Sequence, residues 1–414
     1  MSNVYPKSFK HIEDRLKAYK IPQQCIHCGT CRTYYQSKFW NPVCPSGQWK
    51  LFDPYYLSGK MQLAMGLIKG RIKWSKEIAN PFFECTLCGN CSEQCHVVET
   101  DGRRPIYELA LPLLEAVRAD AVANGFGPDV QRKYCEAIVE KHNPYNEPHE
   151  KRTAWLKEAL GEDAFSKSPD YVLFLGCTSS YRQKNIALAT AKIFQKLGLK
   201  FTVMDDEYCC GSPILRTGRW EPVADLAKHN FEEVRKTGAK TVVTSCPGCF
   251  KVWAHDYAKE NYGDVLGIEH DFKVLHTTEL LSALLKEGKL KFGKPINAKV
   301  TFHDPCHMGR NLGEKALYDP PREILKAIPG VEFVEMERVK NVAWCCGSGG
   351  GVKAAFPEFA IWTGKERVNE ALSTGASVLA STCPFCQRNL DDSAKAMATN
   401  MDVTDVVEMV EKAL

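Results

Sequence analysis

Nineteen cysteines in 414 residues are the side chains of this sequence that could do chemistry, and their spacing narrows which chemistry. Cys25, Cys28 and Cys31 follow at three-residue steps, and Cys44 comes after twelve intervening residues. Cys85, Cys88 and Cys91 repeat the steps, with Cys95 closing the second group. Ten more fall into two copies of one pattern. The first reads Cys177, Cys209-Cys210-Gly211 and Cys246-Pro247-Gly248-Cys249; the second reads Cys306, Cys345-Cys346-Gly347 and Cys383-Pro384-Phe385-Cys386. The intervals are 31 and 35 residues in the first copy and 38 and 36 in the second, an agreement that marks an internal repeat. Cys135 stands outside every group, with no cysteine closer than forty positions, and reads as a bystander.

Disulfides suit small secreted domains, and a large chain with Cys-x-x-Cys and Cys-Cys spacing and no secretion signal points to metal ligation instead. Tetrathiolate zinc also uses Cys-x-x-Cys, but three cysteines at three-residue steps, twice over, is an iron–sulfur spacing. Three close sulfurs can take three corners of one 4Fe–4S cubane, while the distant fourth reaches the other cluster. The expected pairing is therefore crossed: Cys25, Cys28, Cys31 and Cys95 on one cubane, and Cys85, Cys88, Cys91 and Cys44 on the other. The insertion before Cys44, and His96 in place of a proline after Cys95, depart from the compact bacterial pattern without removing a ligand.

These thiols need elements to hold them. The forty residues between Cys44 and Cys85 carry an apolar period (Met61, Met65, Ile68, Ile72) that predicts a helical ferredoxin-like module. Lys60 to Lys76 mixes basic and apolar residues with Trp74, so an interfacial amphipathic helix is the alternative to core packing. From Ile106 to about Leu160 the pattern is helical, broken at Gly125–Pro128 and at His142–Pro148. In both copies the cysteines follow strand-like runs, YVLFLGC and TVVTSC, then KVTFHDPC and SVLASTC. Two tandem α/β cysteine-rich domains are expected, with three loops per copy converging beyond the carboxyl ends of a parallel sheet. Gly211 and Gly347 are expected to let backbone approach a bulky cluster and to free amide groups for sulfide. The GSGGG run at 347–351 matches neither a phosphate loop nor a dinucleotide fingerprint and is assigned the same purpose. The expected organisation is a cluster-binding domain over 1–105, a helical linker over 106–170, and cysteine-rich copies over 171–290 and 291–414.

Lys and Arg number 54 against 50 Asp and Glu, a formal +4 that gives no field for nucleic acid. No apolar run approaches the roughly 20 residues of a spanning helix, and residues 1–20 hold no signal sequence. A cytoplasmic chain is expected, with any attachment to the inner face of the membrane made through a partner.

The doubled Cys…Cys-Cys-Gly…Cys-Pro-x-Cys pattern resembles the cysteine-rich CCG domain of heterodisulfide reductase catalytic subunits, and the N-terminal segment resembles that enzyme's small iron–sulfur subunit fused ahead of it. HNPYNEPHEKR (142–152) resembles a linker common among such fused chains. The resemblance implies that each complete five-cysteine set holds a noncubane 4Fe–4S cluster: Cys177, Cys209, Cys210, Cys246 and Cys249 for one, and Cys306, Cys345, Cys346, Cys383 and Cys386 for the other. It implies two cubanes feeding the pair, which reduces or forms a disulfide, with His307 and His303 the nearest proton carriers in sequence. The alternative is a non-catalytic electron-transfer subunit linking a flavoprotein dehydrogenase or bifurcating complex to quinone or a low-potential reductase. Without a flavin or nicotinamide motif of its own, the chain is expected to work beside a flavoprotein, a bifurcating module or a membrane cytochrome subunit, on a small disulfide or thiol, under anaerobic conditions.

Overall fold

The computed structural model describes residues 9–19, 25–95 and 106–414; His96 lies outside the described residues. In the N-terminal region helix α1 (Lys10–Tyr19) and helix α2 (Leu57–Ile68) flank the first cysteine group, and the strand-like pairing among the described residues there is one antiparallel bridge, Thr33 to Pro42. Helix α2 buries Leu57, Met61, Ala64, Leu67 and Ile68, which is the core packing the apolar period suggested. Even Lys60 is buried, its ammonium donating to the Tyr55 carbonyl and to Ser46 Oγ. The amphipathic alternative over Lys60 to Lys76 fails on geometry. The helix ends at Ile68, Gly70 turns with a positive φ of 65°, and Ser75 caps a separate helix, Lys76–Phe83.

Helices α3 (Ile106–Ala123) and α4 (Asp129–Lys141) follow, with the breaks where the sequence puts them. They are not a detached spacer. The Asp120 carboxylate on α3 accepts the backbone N–H groups of His11 and Ile12, 3.1 Å each, and so seats α1. Leu114, Val117 and Ile138 share one apolar core with Ile12 and Met61 on one side and Val172 and Trp253 on the other.

The repeats form two parallel four-stranded sheets. The first holds β1 (Tyr171–Leu173), β2 (Phe201–Thr202), β3 (Thr241–Thr244) and β4 (Lys273–His276) in the order β2-β1-β3-β4. The second holds β5 (Ala298–Phe302), β6 (Val331–Phe333), β7 (Val378–Ser381) and β8 (Asp402–Asp405) in the order β6-β5-β7-β8. Val172 pairs with Val242, and Thr301 with Leu379, and all four are buried, so the central strands of both sheets are covered over their later residues, as parallel sheets require. The copies are related by a pseudo-twofold. Helix α5 (Lys184–Lys196) and helix α6 (Val223–Thr237) belong to copy one, as does α7 (Thr277–Lys286) after β4; copy two carries α8 (Asp319–Ala327), α9 (Pro357–Ser373), α10 (Pro384–Ala396) and α11 (Val406–Ala413). Helix α5 packs on α11 and α7 on α8, which is one contact made twice with the copies exchanged. Ile193, Phe194, Leu281, Ile324, Leu325 and Val410 fill that shared core. No helix among the described residues is long and apolar enough to cross a membrane.

Candidate functional site: ten cysteines around one cavity

Each sheet delivers its cysteines from strand ends. Cys177 follows β1 and Cys246 follows β3, the two strands between which the connection order reverses; Cys306 and Cys383 stand equivalently after β5 and β7. The Cys-Cys pairs come from the loops beyond β2 and β6. All ten line one cavity of about 480 Å³, to which both copies contribute. His307 lines it from copy two and reaches copy one: a Cβ placed on Gly248 would stand 3.6 Å from Cys246 Sγ and 3.8 Å from His307 Nδ1.

Within each set the sulfurs are partners to one another. Cys177 and Cys209 lie in hydrogen-bonding reach, as do Cys210 and Cys249, and Cys246 and Cys249. In copy two the links join Cys345 to Cys346, Cys346 to Cys386, and Cys383 to Cys386. Hydrogen bonds from Cys345 and Cys386 draw the Cys346 thiol well below its ordinary range, while its neighbours are pushed up. Thiols so crowded and so buried shed protons unevenly, and bound metal would relieve the crowding by taking the place of those protons. The residues therefore fit an iron–sulfur group on donor chemistry. Backbone amides already turn to the sulfurs: Gly347 N donates to Cys345 Sγ at 3.3 Å and Cys386 N to Cys383 Sγ at 3.3 Å.

The two histidines separate. His307 lines the cavity, and burial, with Arg216 and Lys251 close by, holds its ring well below the ordinary imidazole range, down to about 3. His303 does not line the cavity; it is buried behind Cys346, its Nδ1 accepting from Arg367 Nε at 3.2 Å. Because an arginine always donates, that bond leaves the proton on Nε2, where the ring can donate toward the Cys346 sulfur.

Among the N-terminal cysteines some sulfurs can be followed to their neighbours. Cys44 and Cys91 each lie close to Cys85 and Cys88, Cys25 lies near Cys28 and Cys31, and Cys91 also lies near Cys31. Cys95 packs against the same core. Cys88 reaches further, into hydrogen-bonding distance of Cys345. The backbone around it is clamped to copy two: Arg310 Nε donates to Cys88 O at 2.7 Å, Asn311 Nδ2 to Leu87 O at 3.3 Å, and Asn90 Nδ2 to Val342 O and Ala343 O at 3.2 Å. The second N-terminal group thus abuts the copy-two set.

The glycines meet the sequence expectation in part: the Gly347 amide donates to Cys345 Sγ and the Gly211 amide to Cys209. Gly347 has φ 94°, and a Cβ there would stand 2.3 Å from the Ala360 carbonyl on α9, so this glycine also admits the helix behind it. The glycines after it serve docking. A Cβ on Gly349 would meet Thr86 O at 2.7 Å, and one on Gly350 would meet Cys85 O at 2.7 Å. Arg118 completes the joint, donating to the carbonyls of Phe82, Cys85, Arg216 and Gly350. Gly349→Ala is expected to loosen this seam at a cost of about 1–3 kcal/mol, read as faster limited proteolysis between the N-terminal module and the repeats with both sets of cysteines intact; unchanged proteolysis would remove the docking role.

Sequence reasoning missed Arg152, Glu207 and the cavity's cations. Arg152 Nη2 donates to Cys177 Sγ at 3.4 Å and to the His142 carbonyl at 2.6 Å, and Nη1 donates to Glu207 Oε1 at 2.8 Å. Glu207 also accepts the amides of Leu175 and Gly176, which fixes the β1 turn before Cys177. The HNPYNEPHEKR segment was the signal, since its arginine is what reaches the site. Arg182, Arg216, Lys353 and Arg388 line the cavity, and no Asp or Glu does among the described residues. Cys135 is buried 3.5 Å from Thr217 Oγ1, its thiol pushed up to about 11 by burial, and it belongs to neither cysteine set.

Comparisons with known proteins agree with these two parts. A 4Fe-4S dicluster domain family matches residues 22–98, and a cysteine-rich domain family matches 171–252 and 300–391. The chain is 36% identical to the D subunit of dihydromethanophenazine:CoB–CoM heterodisulfide reductase from Methanosarcina barkeri, with 94% of this chain and 93% of that protein covered. Identity to the same protein of Methanosarcina acetivorans is 39%, with the same shares covered. EtfAB:quinone oxidoreductase of Syntrophomonas wolfei is 29% identical over 94% of this chain and 58% of its own length. Among solved structures, a hypothetical protein from Helicobacter pylori shares the fold at a TM-score of 0.58 and 12% identity, covering 98% of this chain and 76% of that one.

Proposed function

The chain belongs to the family of the heterodisulfide reductase D subunit, and from that premise we propose that it is the disulfide-handling, iron–sulfur component of a larger redox complex. One observation carries the reading: two complete five-cysteine sets, one from each copy, line a single cavity. When bound, two cubanes and two noncubane 4Fe–4S clusters supply one-electron transfer and iron sites for sulfur. Cys25, Cys28, Cys31 and Cys95 would hold the outer cubane, and Cys85, Cys88, Cys91 and Cys44 the inner one. The two five-cysteine sets would hold the noncubane pair. The contact of Cys88 with Cys345 supports entry of electrons at copy two first.

Reduction of a disulfide consumes two electrons and two protons, breaks the S–S bond and yields two thiols; formation runs the other way. The chain's own residues would orient the disulfide and manage its charge. His307, on the cavity wall and held neutral by burial, is assigned to relay a proton: its ring N–H goes to a departing thiolate while its other nitrogen takes up a proton in return. His303, held by Arg367, is assigned the lesser part of donating a hydrogen bond to Cys346. Arg182, Arg216 and Lys353 are already paired with Glu147, with Glu115 and Asp256, and with Asp392, so Arg388, which has no ion pair among the described residues, is the lining cation that fits an anionic end of a disulfide. Electrons would come from a flavoprotein, a bifurcating module or a membrane cytochrome subunit, with the chain at the inner face of the membrane only through such a partner.

The test is turnover of an anionic disulfide by the cluster-loaded protein with a reduced viologen as donor. Arg388→Gln is expected to raise KM about tenfold, near 1.4 kcal/mol, with kcat nearly unchanged, and to leave an uncharged disulfide unaffected. Equal effects on both substrates would remove the charge-recognition role. The second reading, a conduit linking a flavoprotein dehydrogenase or bifurcating complex to quinone or a low-potential reductase, draws support from the likeness to EtfAB:quinone oxidoreductase. It expects no thiol or disulfide turnover by the loaded chain.

A further inference from the structure

Away from the cysteine cavity, copy one gathers a second set of metal-ligating groups. Asp206 lies in the loop beyond β2, and His229 and Glu233 lie one turn apart on α6, on the same face of the helix. One ligand atom from each of the three lies within 4.8 Å of the other two. None of them lines the cavity. The surroundings hold them in place. The His229 ring stacks on Tyr208 at 3.5 Å with 13° between planes, and His142 stacks on the other face of Tyr208 at 3.5 Å, so the imidazole cannot turn freely. His149 Nε2 pairs with Asp206 Oδ1 at 2.7 Å, which points Oδ2 at His229, 3.3 Å from its Nε2.

That last distance is informative. Two ligands bound at 2.0–2.1 Å to a tetrahedral ion are separated by about 3.3–3.4 Å, the edge of the tetrahedron. We propose that Asp206, His229 and Glu233 bind a divalent transition-metal ion of the zinc class, with water completing the shell and His149 orienting the Asp206 carboxylate from outside it. One imidazole and two carboxylates suit such an ion, and a ligating carboxylate fixed by a hydrogen bond to its far oxygen is the usual support. Binding replaces the proton that His229 Nε2 shares with the Asp206 carbonyl at 2.7 Å, and it competes with Lys236, whose exposed ammonium bonds Glu233 Oε1 and can swing into solvent. The ion would tie three pieces of chain together: the 142–152 segment through His149, the loop beyond β2 through Asp206, and α6. Tyr208 at their centre precedes Cys209 directly, so the ion would brace the paired-cysteine loop of copy one.

Cobalt(II) is the probe, added anaerobically to the cluster-loaded protein and followed by equilibrium dialysis, with anomalous diffraction at the cobalt edge to locate it. One cobalt per chain is expected within bonding distance of Asp206, His229 and Glu233. His229→Gln and Glu233→Gln are each expected to weaken binding at least 100-fold, and His149→Ala by about 10- to 100-fold. Iron content unchanged in the variants separates loss of the site from loss of the fold. Cobalt seen only at cysteines, no cobalt at this position, or equal affinity in His229→Gln and the parent protein would each overturn the proposal.

Discussion

Replacing Cys346 by alanine is expected to reduce disulfide turnover to background while leaving the N-terminal cubanes in place, with iron falling from about sixteen to about twelve per chain. Cys346 is the centre of the copy-two set: Cys345 and Cys386 both lie in hydrogen-bonding reach of its sulfur, and His303, with Arg367 behind it, faces it. The matching change in copy one, Cys210→Ala, is expected to give the same loss, because both sets line one cavity and a disulfide has two sulfur atoms to be received. Iron analysis, cubane signals and turnover measured together decide the matter. Full activity in either variant would show that one copy suffices.

A larger effect on stability is expected at Arg152→Met. Arg152 and Glu207 are both fully buried and pair at 2.8 Å, and Arg152 also satisfies the His142 carbonyl. Removing the guanidinium leaves a carboxylate in a dry interior with only the amides of Leu175 and Gly176, a loss of about 3–5 kcal/mol. Replacing both partners with apolar residues, Arg152→Met with Glu207→Leu, is expected to recover part of it, since the buried charge is gone as well. Denaturant unfolding followed by two probes measures both. A change within about 0.5 kcal/mol for the single variant, the size of an ordinary surface substitution, would mean that the pair does not hold the β1 turn.

The cysteine spacing carried most of the site. Strand-like runs ending in Cys177, Cys246, Cys306 and Cys383 were readable because β-rich apolar runs that stop at Cys-x or Cys-Pro leave little choice of where the thiol can go, and all four sit at strand ends. The breaks around α4 were readable from Gly125, Pro128 and Pro144 for a similar local reason. Arg310, Asn311 and Asn90 were not, because each acts on backbone more than 200 residues away and no local pattern encodes such a pairing. The same limit hid the purpose of Gly349 and Gly350, which are shaped by Thr86 and Cys85 and not by their own neighbours. The cavity's cations were hidden too, since Arg182, Lys353 and Arg388 lie on separate elements that only the pseudo-twofold brings to one opening.

The central claim is that both repeats hold noncubane clusters that meet sulfur substrate in the shared cavity. Low-temperature EPR on anaerobically purified protein, titrated with oxidant and with an anionic thiol and paired with iron and sulfide analysis, tests it most directly. About sixteen irons per chain, with an oxidised paramagnetic signal that appears or shifts on adding thiol and is lost in Cys346→Ala, is the expected result. About eight irons in fully loaded protein, with reduced cubane signals only and no response to thiol, would contradict it.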